Sequence, residues 1–172
     1  MNNTVKLTKI KTKIKFAKIK SNAIIPNKRA EDAGFDIYAC FDEEYITIQP
    51  NETKMIPTGI ASAFSDNYVI ILKERGSTGT KGIGQRAGVI DSGYRGEWMV
   101  PITNHNEKPL IITKQQSKSV LEEDFVVYPY NKAICQAILL ELPEVMVEVT
   151  TYDKLQKIKS ERGVGKLGSS GK

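Results

Sequence analysis

The densest chemistry in the chain sits in ten residues, Gly88-Val89-Ile90-Asp91-Ser92-Gly93-Tyr94-Arg95-Gly96-Glu97. An ionised carboxylate such as Asp91 only accepts hydrogen bonds, so it can orient a hydroxyl or a water and take up a proton. Tyr94, three residues later, offers a flat ring beside it. Two further segments are built for anions. Glu74 to Gly88 holds five glycines and three hydroxyl residues, and Glu161 to Lys172 is again Gly- and Ser-rich with almost nothing apolar. Glycine lets backbone N–H groups approach an anion closely, while Ser, Thr and Arg add donors. Neither segment matches the strand-GxxxxGK[ST]-helix pattern, which removes a P-loop nucleotidase. Each alone reads first as an ordinary loop.

Composition narrows the chemistry further. His105 is the only histidine, and it lies in the turn-like stretch Asn104-His105-Asn106-Glu107-Lys108-Pro109. Zinc sites with two or three His ligands are therefore excluded, little room is left for a Ser-His triad, and His105 is expected at the surface. Cys40 and Cys135 are far apart with no CxxC pair, which reads as reduced thiols in a cytoplasmic protein. The net charge of +5 comes from the start of the chain, where Met1 to Lys20 carries seven lysines and no acid. The remainder is slightly acidic, so no nucleic-acid partner is expected. No apolar run approaches the roughly 18 residues of a membrane helix, and the Lys-rich start is not a secretory signal.

The elements that must position these residues read as short strands. Candidates are Lys13–Lys18, Tyr45–Ile48, Lys54–Phe64, Tyr68–Lys73, Trp98–Ile102, Leu110–Thr113, Phe125–Tyr128, Ile134–Leu142 and Met146–Thr151. They are rich in Val, Ile, Tyr and Thr and separated by turn clusters. Between Ile10 and Phe16 lysines alternate with Ile, Thr and Phe, the period of a half-buried strand whose solvent face is a row of Lys. No long helical stripe occurs; Ser117 to Asp124 is a short helix or turn at most. The expected class is all-β, a sandwich or barrel. The expected organisation is a Lys-rich extension or edge strand over 1–13, a β-domain over 14–155 and a flexible tail over 156–172.

The stretch Gly88 to Glu97 resembles the third motif of the trimeric dUTPase family, and four other motifs fall in that family's order. Ala33-Gly34-Phe35-Asp36-Ile37-Tyr38-Ala39 is similar to the first and Arg75-Gly76-Ser77-Thr78-Gly79 to the second. Ile134-Cys135-Gln136 is similar to the end of the fourth, and Arg162-Gly163 through Gly168-Ser169-Ser170-Gly171 to the fifth. The resemblance spans nearly the whole chain. It implies a jelly-roll-like fold, a distorted β-barrel, and a homotrimer whose active sites are shared between subunits. The implied activity is Mg2+-assisted hydrolysis of dUTP to dUMP and pyrophosphate, by water attack at the α-phosphorus. Such an activity limits uracil incorporation into DNA and supplies dUMP for dTMP synthesis.

The same resemblance assigns roles. Asp91 accepts from the deoxyribose 3′-OH and orients the attacking water as base. Tyr94 lies beneath the sugar and rejects a 2′-OH sterically. Backbone near Gln85, Gly88 and Met99 reads uracil. Arg75, Gly76, Ser77 and Thr78 contact the phosphates, Gln136 places them or the water, and Asp36 meets the metal through a water. Arg162, Leu167, Gly168, Ser169 and Ser170 wrap the phosphates and base as a lid.

Departures from the family pattern are specific. Leu167 stands where an aromatic usually stacks on uracil, and Gly76 where a Ser usually follows the Arg. Asn131-Lys132-Ala133 replaces the usual Gly-Asp-Arg, and Thr113 to Tyr130 is longer than typical. The related dCTP deaminases need a Glu ten residues after the Asp, where this chain has Pro101. A dUTPase-fold binding or regulatory module is the reading from another class.

Overall fold

The computed structural model describes residues 12–115 and 123–165. The lid residues Leu167, Gly168, Ser169 and Ser170, and most of the stretch Ser117 to Asp124, lie outside that range. The chain divides into two compact units, Met1–Leu142 and Pro143–Lys172, and each is described by itself.

The first unit is almost entirely β. Its elements begin with β1 (Lys15–Lys18), β2 (Phe35–Ile37), β3 (Tyr45–Ile48), β4 (Thr53–Pro57), β5 (Ile60–Ala63) and β6 (Tyr68–Lys73). After a single helical turn, α1 (Gly76–Gly79), come β7 (Ile83–Gln85), β8 (Val89–Ile90), β9 (Met99–Asn104), β10 (Leu110–Thr113), β11 (Val126–Pro129) and β12 (Cys135–Glu141). They form four sheets, in the orders β1-β5, β11-β10-β3, β2-β12-β6-β8 and β4-β9-β7. All pairings are antiparallel except β10 with β11. The all-β expectation holds, but the sheets remain separate rather than closing into a barrel.

Alternation builds the core. On β9, Val100 and Ile102 point inward, and Ile37, Ile48, Ile56, Ile70, Leu72 and Leu110 join them with essentially no exposed surface. Each such side chain contributes about 1.5–3 kcal/mol by leaving water. Trp98 is fully buried and meets the edge of Phe16, ring centroids 5.6 Å apart. That contact anchors β1, at whose start half-buried Ile14 and Phe16 alternate with exposed Lys13 and Lys15 as the sequence pattern predicts.

Several elements differ from the sequence reading. The run Lys54–Phe64 is two strands, because Gly59 adopts φ +66 and turns β4 into β5. β2, β7 and β8 are two or three residues long and flanked by glycines, too short for a periodic signal. Met146–Thr151 is not a strand: it has strand composition but no pairing partner among the described residues, and Met146, Val147 and Val149 are exposed. In the second unit the described order is α2 (Tyr152–Gln156), capped by the Thr151 hydroxyl, which accepts from the Lys154 N–H at 3.3 Å. Among the described residues no helix is long and apolar enough to cross a membrane.

Candidate active site

One sheet assembles a polar cleft. β12 lies between β2 and β6, so Gln136 stands opposite both Asp36 and Lys73. The chain leaves β6 at Lys73 and enters the Gly-rich loop at Glu74 and Arg75. Residues far apart in sequence therefore line one cleft of about 600 Å³: Gly34, Asp36, Arg75, Gly76, Ser77 and Gln136, with Lys28, Arg29 and Asp32 at one side.

Its geometry is held by charge and by backbone. Arg75 Nε lies 3.0 Å from Asp36 Oδ1, and its terminal nitrogen donates to Ser77 Oγ at 3.3 Å. Both members of the ion pair remain about one-third exposed, 31% and 34%, so an incoming anion can reach the guanidinium. Gln136 Nε2 donates to the Glu74 carbonyl at 2.9 Å. Gly34 packs against that amide so tightly that a Cβ there would fall 2.6 Å from Gln136 Oε1. Thr78 is buried, and its hydroxyl accepts from the Arg75 N–H and donates to the Arg75 carbonyl, each at 3.0 Å. Thr78 thus ties the loop to itself, while Gly76 and Ser77 face the cleft. A Cβ on Gly76 would meet nothing within 4 Å, so the missing serine reflects no lack of room.

Titrating groups around the cleft follow from their neighbours. Glu74 is held below the usual carboxylate range, first by its own backbone N–H and further by Lys73 and the Gln85 N–H. Burial pushes the Cys135 thiol well up, which keeps it inert, and both cysteines are free. Burial also raises Tyr128, against the pull of nearby Arg75 and Ser77, and its hydroxyl donates to the Ala133 carbonyl at 2.6 Å. Sequence reasoning passed over Tyr128, because a mid-strand aromatic carries no local sign that Arg75 will fold beside it.

The third motif forms a separate place. Asp91, Tyr94, Gln85, Gly88 and Met99 do not line this cleft. Asp91 is exposed and its carbonyl accepts from the Tyr94 N–H at 3.1 Å. Tyr94, 44% exposed, donates from its hydroxyl to the Glu97 carbonyl at 2.9 Å. Gly96 makes that pose possible, since a Cβ there would sit 2.6 Å from the Tyr94 ring carbon Cζ. Gln85 is buried on β7 with its amide turned back on the Arg86 carbonyl. Ala87 (φ +52) and Gly88 (φ +107) carry the chain from β7 across to β8; Gly88 also leaves space for the Gln85 amide, 2.7 Å from where a Cβ would be. Met99 opens β9 opposite Pro57. Pro101, opposite Met55, lies on a strand whose six residues include no carboxylate. His105 is exposed beside Arg86, as its turn composition predicts.

The dUTPase family model matches residues 20–117, more than half of the chain. The chain belongs to the dUTPase family. A deoxyuridine 5'-triphosphate nucleotidohydrolase of Nautilia profundicola is 32% identical over 164 residues, covering 93% of this chain and 99% of that one. A Staphylococcus bacteriophage 80alpha dUTPase, solved with dUpNHpp, superposes with TM-score 0.69 at 21% identity, over 93% of this chain and 99% of that one. A point mutant of the dUTPase from phage phi11 of S. aureus, described for its structural Mg(II) ion, gives TM-score 0.63 at 19% identity, over 80% and 96%. Against the dUTPase motifs, the cleft gathers the first, second and fourth, and the exposed Asp91–Tyr94 turn carries the third. Arg162 of the fifth lies in the second unit, where its Nε donates to the Gly165 carbonyl at 3.3 Å.

Proposed function

We propose that the chain hydrolyses dUTP to dUMP and pyrophosphate, with Asp91 orienting and deprotonating a water that attacks the α-phosphorus. The observation that carries the reading is the convergence of Asp36, Arg75, Ser77 and Gln136 in one cleft. A fixed guanidinium, a hydroxyl and a primary amide suit a polyphosphate, whose charge needs neutralising and whose geometry needs fixing. Arg75 neutralises charge, Ser77 and the Gly76 backbone add donors, and Gln136 positions the phosphates or the water. Tyr94 supports the deoxyribose, and backbone around Gln85, Gly88 and Met99 pairs with uracil. A cytosine would leave buried donors and acceptors unmatched there.

Magnesium fits these residues in one way. Among the described residues no three His, Cys, Asp or Glu side chains cluster into a cage, so the phosphates themselves would provide the direct ligands. Asp36, one oxygen on Arg75 and partly exposed to the cleft, is the residue to hold the ion through a water. When bound, magnesium supplies charge neutralisation on the triphosphate and on the departing pyrophosphate.

The two halves of the site also support a homotrimer with shared sites. Asp91 and Tyr94 serve a substrate only if they meet a phosphate cleft, and within one chain they do not line it. Val145, Met146, Val147 and Val149 are 70–94% exposed, an apolar stretch of the sort that subunit association covers. Arg162 and the tail residues Leu167, Gly168, Ser169 and Ser170 would then close over a neighbour's phosphates. The test is pyrophosphate release from dUTP, dCTP, dTTP and UTP, with and without Mg2+. Release from dUTP alone is expected; ammonia from dCTP without pyrophosphate would overturn the reading in favour of a deaminase.

A further inference from the structure

Hydrogen bonds that the proposed chemistry does not use tie the Tyr94 turn to the β4–β5 corner. Glu97 is the hinge of this arrangement. Its backbone carbonyl accepts from the Tyr94 hydroxyl at 2.9 Å, and its carboxylate accepts from the Gly59 N–H at 2.7 Å. Gly59 is itself immobilised: it is buried at φ +66, and a Cβ there would lie 2.8 Å from Cys40 Sγ and 2.9 Å from Ala23 Cβ. Next to it the Trp98 N–H donates to the Ile60 carbonyl at 2.9 Å, and the Thr58 hydroxyl donates to the Trp98 carbonyl at 2.6 Å. Arg95 closes the other side of the turn. One guanidinium nitrogen donates to the carbonyls of Ser92 (2.6 Å), Tyr94 (3.1 Å) and Ser62 of β5 (3.3 Å).

Tyr94 needs such a frame. Nearly half of it is exposed, so packing does not fix its height, and it rests over Gly96, which adds no side chain to steady it. Rejecting a single hydroxyl by contact demands a surface that cannot retreat; a shift of about 1 Å is enough to admit it.

We propose that Glu97 and Arg95 are positioning residues for sugar selection, holding the Tyr94 ring where a deoxyribose fits and a ribose 2′-OH does not. This rests on the role given to Tyr94 above. The test is kcat/KM for dUTP and for UTP in the wild type and in Glu97→Ala, Glu97→Gln, Arg95→Ala and Tyr94→Ala. Glu97→Ala is expected to lower the dUTP-over-UTP preference by about tenfold, through UTP gaining, with kcat for dUTP within about threefold of wild type. Glu97→Gln keeps an acceptor for the Gly59 N–H and is expected to keep the preference. Arg95→Ala removes an exposed side chain and is expected to fold and to lose part of the preference, so it carries the test alone if Glu97→Ala is unfolded by thermal melt. An unchanged preference in the folded variants, or a parallel fall for both substrates, overturns the proposal. Tyr94→Ala separates the two levels: if that variant keeps full preference, the role of Tyr94 itself fails; if it loses preference while the Glu97 and Arg95 variants keep it, only the positioning proposal fails.

Discussion

Gly34, just before β2, and Gln136 of β12 are pressed together, with the site of a Gly34 Cβ 2.6 Å from the Gln136 amide oxygen and 3.0 Å from its Cβ. The second distance matters more, because a Cβ cannot swing aside as an amide can. Gly34→Ala must displace Gln136 from the Glu74 carbonyl or spread the two strands. Steady-state kinetics should show kcat for dUTP falling by about tenfold or more, as for other small misplacements of a positioning group. An unchanged kcat would mean that Gln136 does not place the reacting groups.

Asp91 is exposed and engages its neighbours through its backbone, so replacing its carboxylate leaves the fold intact. Asp91→Asn should lower turnover by about a thousandfold, the scale of a lost general base. Binding of a non-hydrolysable dUTP analogue, followed by calorimetry, should stay within about tenfold. Full activity in this variant would remove Asp91 as the base.

Acid stability follows from four surface carboxylates held below their ordinary values. Asp42 is held down by Lys20, Asp32 by Arg29, Glu52 by the Gln49 N–H and Glu74 by its own N–H. Groups lowered on folding add stability that is fully present above their unfolded values, 3.8 for Asp and 4.5 for Glu, and that is lost as the pH falls through the folded ones. The melting temperature is expected to be level between about pH 7 and about pH 5 and to drop below about pH 4. A drop beginning near pH 6 would place the titration elsewhere.

Removing Arg162 to Lys172 deletes the family's fifth motif and no part of the β core, which ends before Pro143. Turnover should fall by about a hundredfold, while thermal melting of the truncated protein stays near that of the full chain. A truncated protein working at the full rate would rule out the lid.

Much of this was legible in the residues, for identifiable reasons. β3 and β10 are uninterrupted runs of branched and aromatic residues, as is β6 up to Lys73, and the ends of all three match the sequence reading. What sequence missed depends on the third dimension. Gly59 does not announce that it is a corner until Cys40 and Ala23 close around it. Met146–Thr151 has the composition of a strand but not the partner. The motif residues were all identifiable by type and order, yet nothing in their spacing says that Asp36, Arg75 and Gln136 meet while Asp91 stands apart. Tyr128 and Glu97 were silent for the same reason, since their roles lie in contacts with residues distant in sequence.

That separation gives the most direct test of a dUTP-hydrolysing site carried in two halves. Asp91→Asn and Arg75→Ala chains, each inactive alone, are unfolded together, refolded as a mixture and assayed for pyrophosphate release from dUTP. If a cleft is completed by another subunit's Asp91, mixed assemblies should recover up to about a quarter of the wild-type rate, the random share of sites with both halves intact. A mixture no more active than the separate variants would contradict the account.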